Sequence, residues 1–251
     1  MKSIKHRKIG FFDSGIGGLT LLKCAVDLMP NEKYIYFGDN KNAPYGNKTK
    51  NEIFNLVDKA FKYFSKKNVK AVVIACNTVT AECVDDLRKK YKFKIIGIEP
   101  AIKPAAIKGG KTIVLCTKAT AESDKFNKLL FRYKNIVVMP QIHLAELIEN
   151  NIFNLNNINL DIILKNIKNY DNLVLGCTHY IFIKQQLIKY FKINIYDGNL
   201  GTVKNLQRYL ISFNLQNNKS GKIYFEGSGR RKNNKVYNYF FKTHKNQIKN
   251  Y

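Results

Sequence analysis

Short apolar runs rich in β-branched and aromatic residues alternate with longer segments of helical period along the whole chain, and this alternation restricts the fold more than any other feature. A strand, a crossover helix and a second strand of the same sheet form a parallel pair, so repeated alternation predicts an α/β protein with mainly parallel sheets. Strands are expected at 8–12, 33–38, 70–75, 94–98, 112–116, 136–139, 172–176, 193–196 and 222–226, with helices filling most of the gaps. The clearest helix covers 49–66, where Ile53, Leu56, Val57, Ala60, Phe61 and Phe64 share one face and Asn51, Lys59 and Lys62 lie opposite. Glu99-Pro100 is read as opening a helix, Lys108-Gly109-Gly110-Lys111 as a turn, and 150–159 as a polar loop. With 251 residues and 45% hydrophobic content the chain can fill two α/β domains, and a junction is placed near residue 98.

One weak internal repeat bears on chemistry. Val72-Val73-Ile74-Ala75-Cys76-Asn77-Thr78 and Leu173-Val174-Leu175-Gly176-Cys177-Thr178-His179 both read as a buried strand, a small residue, a cysteine and then hydrogen-bonding side chains, each ahead of a helix. A cysteine at the C-terminal end of a parallel strand sits in the crevice where open α/β sheets bind ligands, beside a helix N-terminus that favours thiolate. If the two halves of the chain face each other, Cys76 and Cys177 flank one small substrate, one as thiolate base and one as thiol acid, an arrangement that inverts a stereocentre. Cys24, Cys83 and Cys116 lack such neighbours and read as core residues or inert thiols.

Other segments fit around that pair. The loop Asp13-Ser14-Gly15-Ile16-Gly17-Gly18 follows the first strand, but its glycine spacing departs from a dinucleotide fingerprint and Asp13 would face a pyrophosphate. The same carboxylate is better placed beside a substrate ammonium or a thiol. Tyr45 and Gly46, in Asn42-Ala43-Pro44-Tyr45-Gly46, could hold a ligand carboxylate; His179 stands two residues from Cys177, where it could orient or deprotonate it; Glu149 ends a helix before the polar loop. Neither Cys177-x-His179 nor the gap between Cys76 and Cys83 has zinc-ligand spacing.

Charge is less informative than it looks. The 43 basic and 18 acidic residues give a net charge of +25, but the lysines are spread through the chain, as in a solvated basic surface. The competing class is a nucleic-acid or protein-binding module built on the basic stretch from Gly229-Arg230-Arg231-Lys232 to Tyr251, where Tyr237, Tyr239, Phe240 and Phe241 stand among lysines; an amphipathic helix packing those rings inward is the alternative. Five cysteines, an odd number, argue for thiols, and the absence of a signal-peptide pattern or a long apolar run points to a cytoplasmic address without a membrane span.

Taken together, Phe12-Asp13-Ser14-Gly15-Ile16-Gly17-Gly18, Pro44-Tyr45-Gly46, Ala75-Cys76-Asn77-Thr78 and Gly176-Cys177-Thr178-His179 resemble the glutamate racemases of the cofactor-independent aspartate/glutamate racemase family, as do Gly97-Ile98-Glu99-Pro100 and Cys116-Thr117-Lys118-Ala119-Thr120. The resemblance implies two pseudo-twofold-related α/β domains, 1–98 with 205–251 and 99–204, closing on the substrate. It implies that Cys76 takes the α-proton of D-glutamate and Cys177 that of L-glutamate, with Asp13 and His179 tuning the thiols and Glu149 assisting. Substrate contacts would fall to Asp13, Ser14, Tyr45, Gly46, Asn77, Thr78, Thr178 and His179, without cofactor or metal. It further implies D-glutamate supply for peptidoglycan, glutamate as the small-molecule partner, a homodimer, and no specific nucleic-acid or membrane partner. Val79-Thr80-Ala81, Ile181 and Asp197-Gly198 depart from the common family pattern. A racemase of aspartate or another acidic amino acid is the nearest rival.

Overall fold

In the computed structural model, which describes residues 4–228 and 230–243, the nine expected strands all form, shifted by at most a residue or two at their ends. In chain order the elements are β1 (Ile9–Asp13), α1 (Leu19–Leu28), β2 (Lys33–Gly38), α2 (Lys50–Lys66), β3 (Ala71–Ile74), α3 (Asn77–Lys90), β4 (Lys94–Gly97), α4 (Ile102–Lys108), β5 (Thr112–Cys116), α5 (Lys118–Glu122) and α6 (Asp124–Leu130). They continue with β6 (Ile136–Pro140), α7 (Leu144–Asn150), α8 (Asp161–Ile167), β7 (Asn172–Leu175), α9 (Lys184–Tyr190), β8 (Asn194–Asp197), α10 (Asn199–Ser212), β9 (Lys222–Gly227) and α11 (Arg230–Thr243).

These strands make two sheets, β4-β3-β1-β2-β9 and β6-β5-β7-β8, and every pairing in both is parallel. Parallel sheets are covered on both faces, which explains why β1, β3, β5 and β7 are buried along their full length. The α/β class and the two-sheet architecture thus follow the alternation in the sequence. The first sheet is sandwiched between one cluster built on Phe11, Leu22, Tyr36 and Leu206 and another built on Phe12, Val57, Phe61 and Phe64. After α10 the chain returns to the first sheet, adding β9 beside β2.

Local chemistry sets the element ends. Thr49 caps α2 by accepting from the Glu52 amide while the Glu52 carboxylate accepts from the Thr49 amide, a reciprocal box that starts the helix where the apolar stripe begins. Gly109 and Gly110 both take φ above +80°, a conformation that costs glycine little and other residues much, and they turn α4 into β5.

Three expectations are corrected. The helix read from Glu99-Pro100 begins at Ile102, with Ala101 as its cap, because Pro100 belongs to the turn that leaves β4. The segment 150–159 holds a short 3-10 helix, Leu155–Asn157. The helix expected directly after Cys177 is a 3-10 helix, Thr178–Ile183, and α9 follows it.

The aromatic stretch at the C-terminal end is core material. Tyr237 and Phe240 on α11 are buried in the first cluster, Tyr237 stacks on Phe225 at 4.5 Å, and Phe241 packs against the same ring. Tyr239 is exposed and meets Phe153 edge-on. Rings spent this way are not a stacking platform for bases, which removes the main support for the binding-module reading; Gly229 and residues 244–251 lie outside the described residues. All five cysteines are free, and among the described residues no helix is long and apolar enough to cross a membrane.

Candidate active site

In each sheet the strands run in parallel, so their C-terminal ends crowd together, and the loops leaving β1, β3, β5 and β7 carry the polar side chains of one shared cleft. Asp13 ends β1, Cys76 lies between β3 and α3, Thr117 lies between β5 and α5, and Cys177 lies between β7 and the 3-10 helix. Cys76 and Cys177 each occupy the N-cap position of the helix they precede. They are 6% and 7% exposed, and Cys177 is close enough for its charge to act on Cys76.

Among the contacts that join the two sheets across this cleft, three sets involve the side chains nearest the cysteines. Thr178 donates its hydroxyl to Asp13 Oδ1 at 3.3 Å. The Ile16 amide donates to Glu149 Oε2 at 3.2 Å, and Asn40 Nδ2 donates to Glu149 Oε1 at 2.6 Å. The Thr78 and Thr117 hydroxyls meet at 2.9 Å, with Thr120 completing a buried trio.

The two thiols have different surroundings. Burial pushes the Cys76 thiol up to about 11, the Asp13 charge adds to that rise, and a hydrogen bond from Ser14 Oγ at 3.5 Å and another from the Val79 amide pull it back. Asp13 is itself raised, chiefly by burial, although the charge of His179 and the amides of Gly15 and Gly18 oppose the rise. A cationic group entering beside Asp13 would hold its carboxylate ionised and cancel its repulsion of a Cys76 thiolate.

Cys177 is served by a relay. His179 Nδ1 lies 3.9 Å from its sulfur, and His179 Nε2 lies 2.5 Å from Glu149 Oε2. Burial works against a charged His179, but its bonds and proximity to Cys177 and Glu149 outweigh that and hold it well above its usual value. Burial likewise opposes ionised Glu149, yet His179, the Ile16 amide and Asn40 bring its carboxyl below the usual range. An imidazolium between a carboxylate and a thiol is arranged to give or take a proton at the sulfur.

The sequence-nominated residues divide into those that converge and one that turns aside. Asp13, Ser14, Cys76, Thr78, Glu149, Cys177, Thr178 and His179 are joined by the contacts above, and Asn77 lies buried in the first turn of α3. Tyr45 is buried and donates its hydroxyl to Asp39 Oδ2 at 2.6 Å, so that hydroxyl braces its own loop. Gly46 packs closely on Thr117 and accepts from the Ala119 amide, joining the same loop to α5.

Sequence reading did not nominate Asn40, Asp39, Thr117 or Thr120. Asp39 accepts from Tyr45, Asn42 and Ser228, and so organises the loop around Pro44. The threonines were visible in Cys116-Thr117-Lys118-Ala119-Thr120, and their place at the end of a buried strand, like that of Cys76, was the available signal. Asn40 carried no such signal. A cavity of about 150 Å³ beside His179 is lined by Ile16, Asn40, Pro44 and Glu149 among others. Among the described residues, no three metal-ligating side chains gather into a candidate ion site.

With this geometry in hand, the relatives are informative. The family model described as Asp/Glu/hydantoin racemase matches residues 21–206. The chain is 48% identical over 233 residues to a glutamate racemase of Clostridium novyi (strain NT), covering 86% of this chain and 89% of that protein. Its structure is similar to a glutamate racemase isoform of Bacillus anthracis, with TM-score 0.82 and 26% identity over 95% of this chain and 94% of the other. It is also similar to a glutamate racemase of Francisella tularensis in complex with D-glutamate, with TM-score 0.81, 28% identity and coverage of 95% and 94%.

Proposed function

The chain belongs to the Asp/Glu/hydantoin racemase family and is an isomerase, and from that premise we propose that it interconverts L- and D-glutamate by proton transfer between two opposed thiols. The observation that carries this reading is the pair of buried cysteines at equivalent strand ends of two facing sheets, each with its own hydrogen-bonding neighbours.

In the L-to-D direction the Cys177 thiolate removes the α-proton and the Cys76 thiol protonates the opposite face; the reverse direction exchanges the roles. An α-proton beside a carboxylate is a very weak acid, so the site must stabilise developing negative charge without water. Asp13 pairs with the substrate ammonium, which relieves its repulsion of Cys76. Ser14, Asn77, Thr78 and Thr178 supply hydroxyl and amide donors for the carboxylates, with Gly46 contributing backbone from the loop that Tyr45 anchors. Glu149 and His179 return Cys177 to the correct protonation state after each turnover. No cofactor takes part.

Residues 1–98 with 205–251 act as one domain and 99–204 as the other, and their closure excludes water. The product serves peptidoglycan synthesis in the cytoplasm, and the working form is a homodimer.

The test is chiral chromatography of L-glutamate incubated with purified, reduced protein, with L-aspartate in parallel. Glutamate should reach equal amounts of both enantiomers while aspartate stays L. Aspartate racemising faster than glutamate would transfer the assignment to another acidic amino acid.

A further inference from the structure

Asn40, in the loop after β2, bridges two groups that no motif connects. Its Nδ2 donates to Glu149 Oε1 at 2.6 Å, and its Oδ1 lies 3.5 Å from the Tyr237 hydroxyl of α11. The carboxylate fixes which end of the amide faces it: an ionised Glu149 only accepts, so the NH2 end must face Oε1, and Oδ1 is left on the side of the Tyr237 hydroxyl. Glu149 Oε2 is shared by the Ile16 amide and His179 Nε2, so the Asn40 bond is what holds the other oxygen. Without it the carboxylate can rotate away from the imidazole, and His179 loses the partner that aims Nδ1 at the Cys177 sulfur. Cys76 takes its hydrogen bonds from Ser14 and from the Val79 amide instead.

We propose that Asn40 is a positioning residue for the Cys177 proton transfer and not for the Cys76 transfer: its amide fixes Glu149, Glu149 fixes His179, and His179 serves Cys177. This rests on the two-thiol glutamate reading. Because Asn40 lies in the loop that leaves the first sheet and Glu149 on α7 beside the second, the relay is complete only when the cleft is closed.

The variants are Asn40→Asp, nearly isosteric but with a like charge facing Glu149, and Asn40→Ala. Enantiomers are equal in energy, so kcat/KM must fall equally in both directions, by about tenfold to hundredfold for a displaced catalytic group. The primary isotope effects separate the halves. With α-deuterated L-glutamate the effect on kcat/KM should rise, because removal by Cys177 becomes more fully rate-limiting. With α-deuterated D-glutamate it should shrink, because the slow step becomes protonation by Cys177 after the deuterium has left. In parallel, proton NMR of substrate-free protein follows the downfield His179 N–H resonance expected of an imidazole N–H bonded to the Glu149 carboxylate, which should move or vanish in Asn40→Ala. Isotope effects that change alike for both enantiomers, or unchanged rates and resonance, would overturn the proposal. If the parent protein leaves glutamate untouched, the glutamate reading fails, while the NMR comparison still decides whether Asn40 governs the Glu149–His179 bond.

Discussion

Thr178, next to Cys177, donates its hydroxyl to Asp13, which raises Cys76, at 3.3 Å across the cleft. One bond therefore connects the surroundings of both thiols, and it exists only while the two sheets face each other closely. Several consequences of that closeness can be measured.

Gly17 is one of the close points of the approach, with backbone among its neighbours. A Cβ there would lie 2.5 Å from Thr178 Oγ1 and 2.8 Å from the His179 backbone nitrogen, which cannot rotate away. Gly17→Ala should force the cleft apart by a fraction of an ångström and lower kcat/KM by about a hundredfold. Circular dichroism should show an intact fold; full activity would mean that the closed geometry is not the working one.

Cys76→Ala and Cys177→Ala should each lower racemisation by about ten-thousandfold or more, since either change removes the only proton carrier on one face. Both variants should fold, because alanine fits each strand end. Retention of near-parental turnover by either would remove the two-thiol mechanism.

Glu149→Gln should bring the His179 midpoint down toward its ordinary 6.5, readable by imidazole NMR, and lower kcat by about a hundredfold. The effect on stability has a defined window. His179 is raised in the folded state, so its contribution is complete below 6.5 and is lost as pH rises through the folded value; Glu149 is lowered, so its contribution is complete above 4.5 and is lost as pH falls through the folded value. The Tm gap between parent and variant should be widest between these two values and narrow on either side. A gap independent of pH would show that the two groups do not titrate as a pair.

At the opposite end of the first sheet, Lys70 Nζ is completely buried, 2.6 Å from Glu32 and bonded to the carbonyls of Lys5 and Leu215. Burial lowers Lys70, with Glu32 opposing. Lys70→Met leaves Glu32 buried without that partner and should cost about 3–5 kcal/mol in urea unfolding, whereas the double change with Glu32→Leu should recover much of it. Equal losses in single and double variants would show that the carbonyl contacts, and not the charge pair, carry the stability.

The sequence was most legible where the signal is local. All nine strands could be read because a buried parallel strand is a run of β-branched and aromatic residues, as in Ala71–Ile74. The extent of α2 was visible because Ile53, Val57, Ala60, Phe61 and Phe64 recur at helical spacing, while the box in which Thr49 and Glu52 cap each other emerges only in the structure. The equivalent positions of Cys76 and Cys177 were visible because both stand in the same strand-end context. Relationships formed by folding were not. Asn40 is 109 residues from Glu149 and 197 from Tyr237, and an asparagine in a loop is unremarkable until those partners arrive. Tyr45 was read as a ligand contact, but its hydroxyl is taken by Asp39, six residues earlier, a choice that depends on how the intervening turn bends. The C-terminal aromatics looked available beside their lysines because burial of Tyr237 and Phe240 depends on β9 and Phe225 lying beneath them.

The central claim, two thiols acting from opposite faces, is tested most directly by following L-glutamate in D₂O by proton NMR together with chiral separation of the products. Two bases place deuterium on the inverted product first, because Cys177 removes the proton and a different, deuterated thiol delivers to the other face. The D-glutamate formed early should therefore be fully α-deuterated while the remaining L-glutamate keeps its proton. Deuterium entering the L-glutamate pool as fast as D-glutamate appears would mean that a single group serves both faces, and the two-thiol account would be wrong.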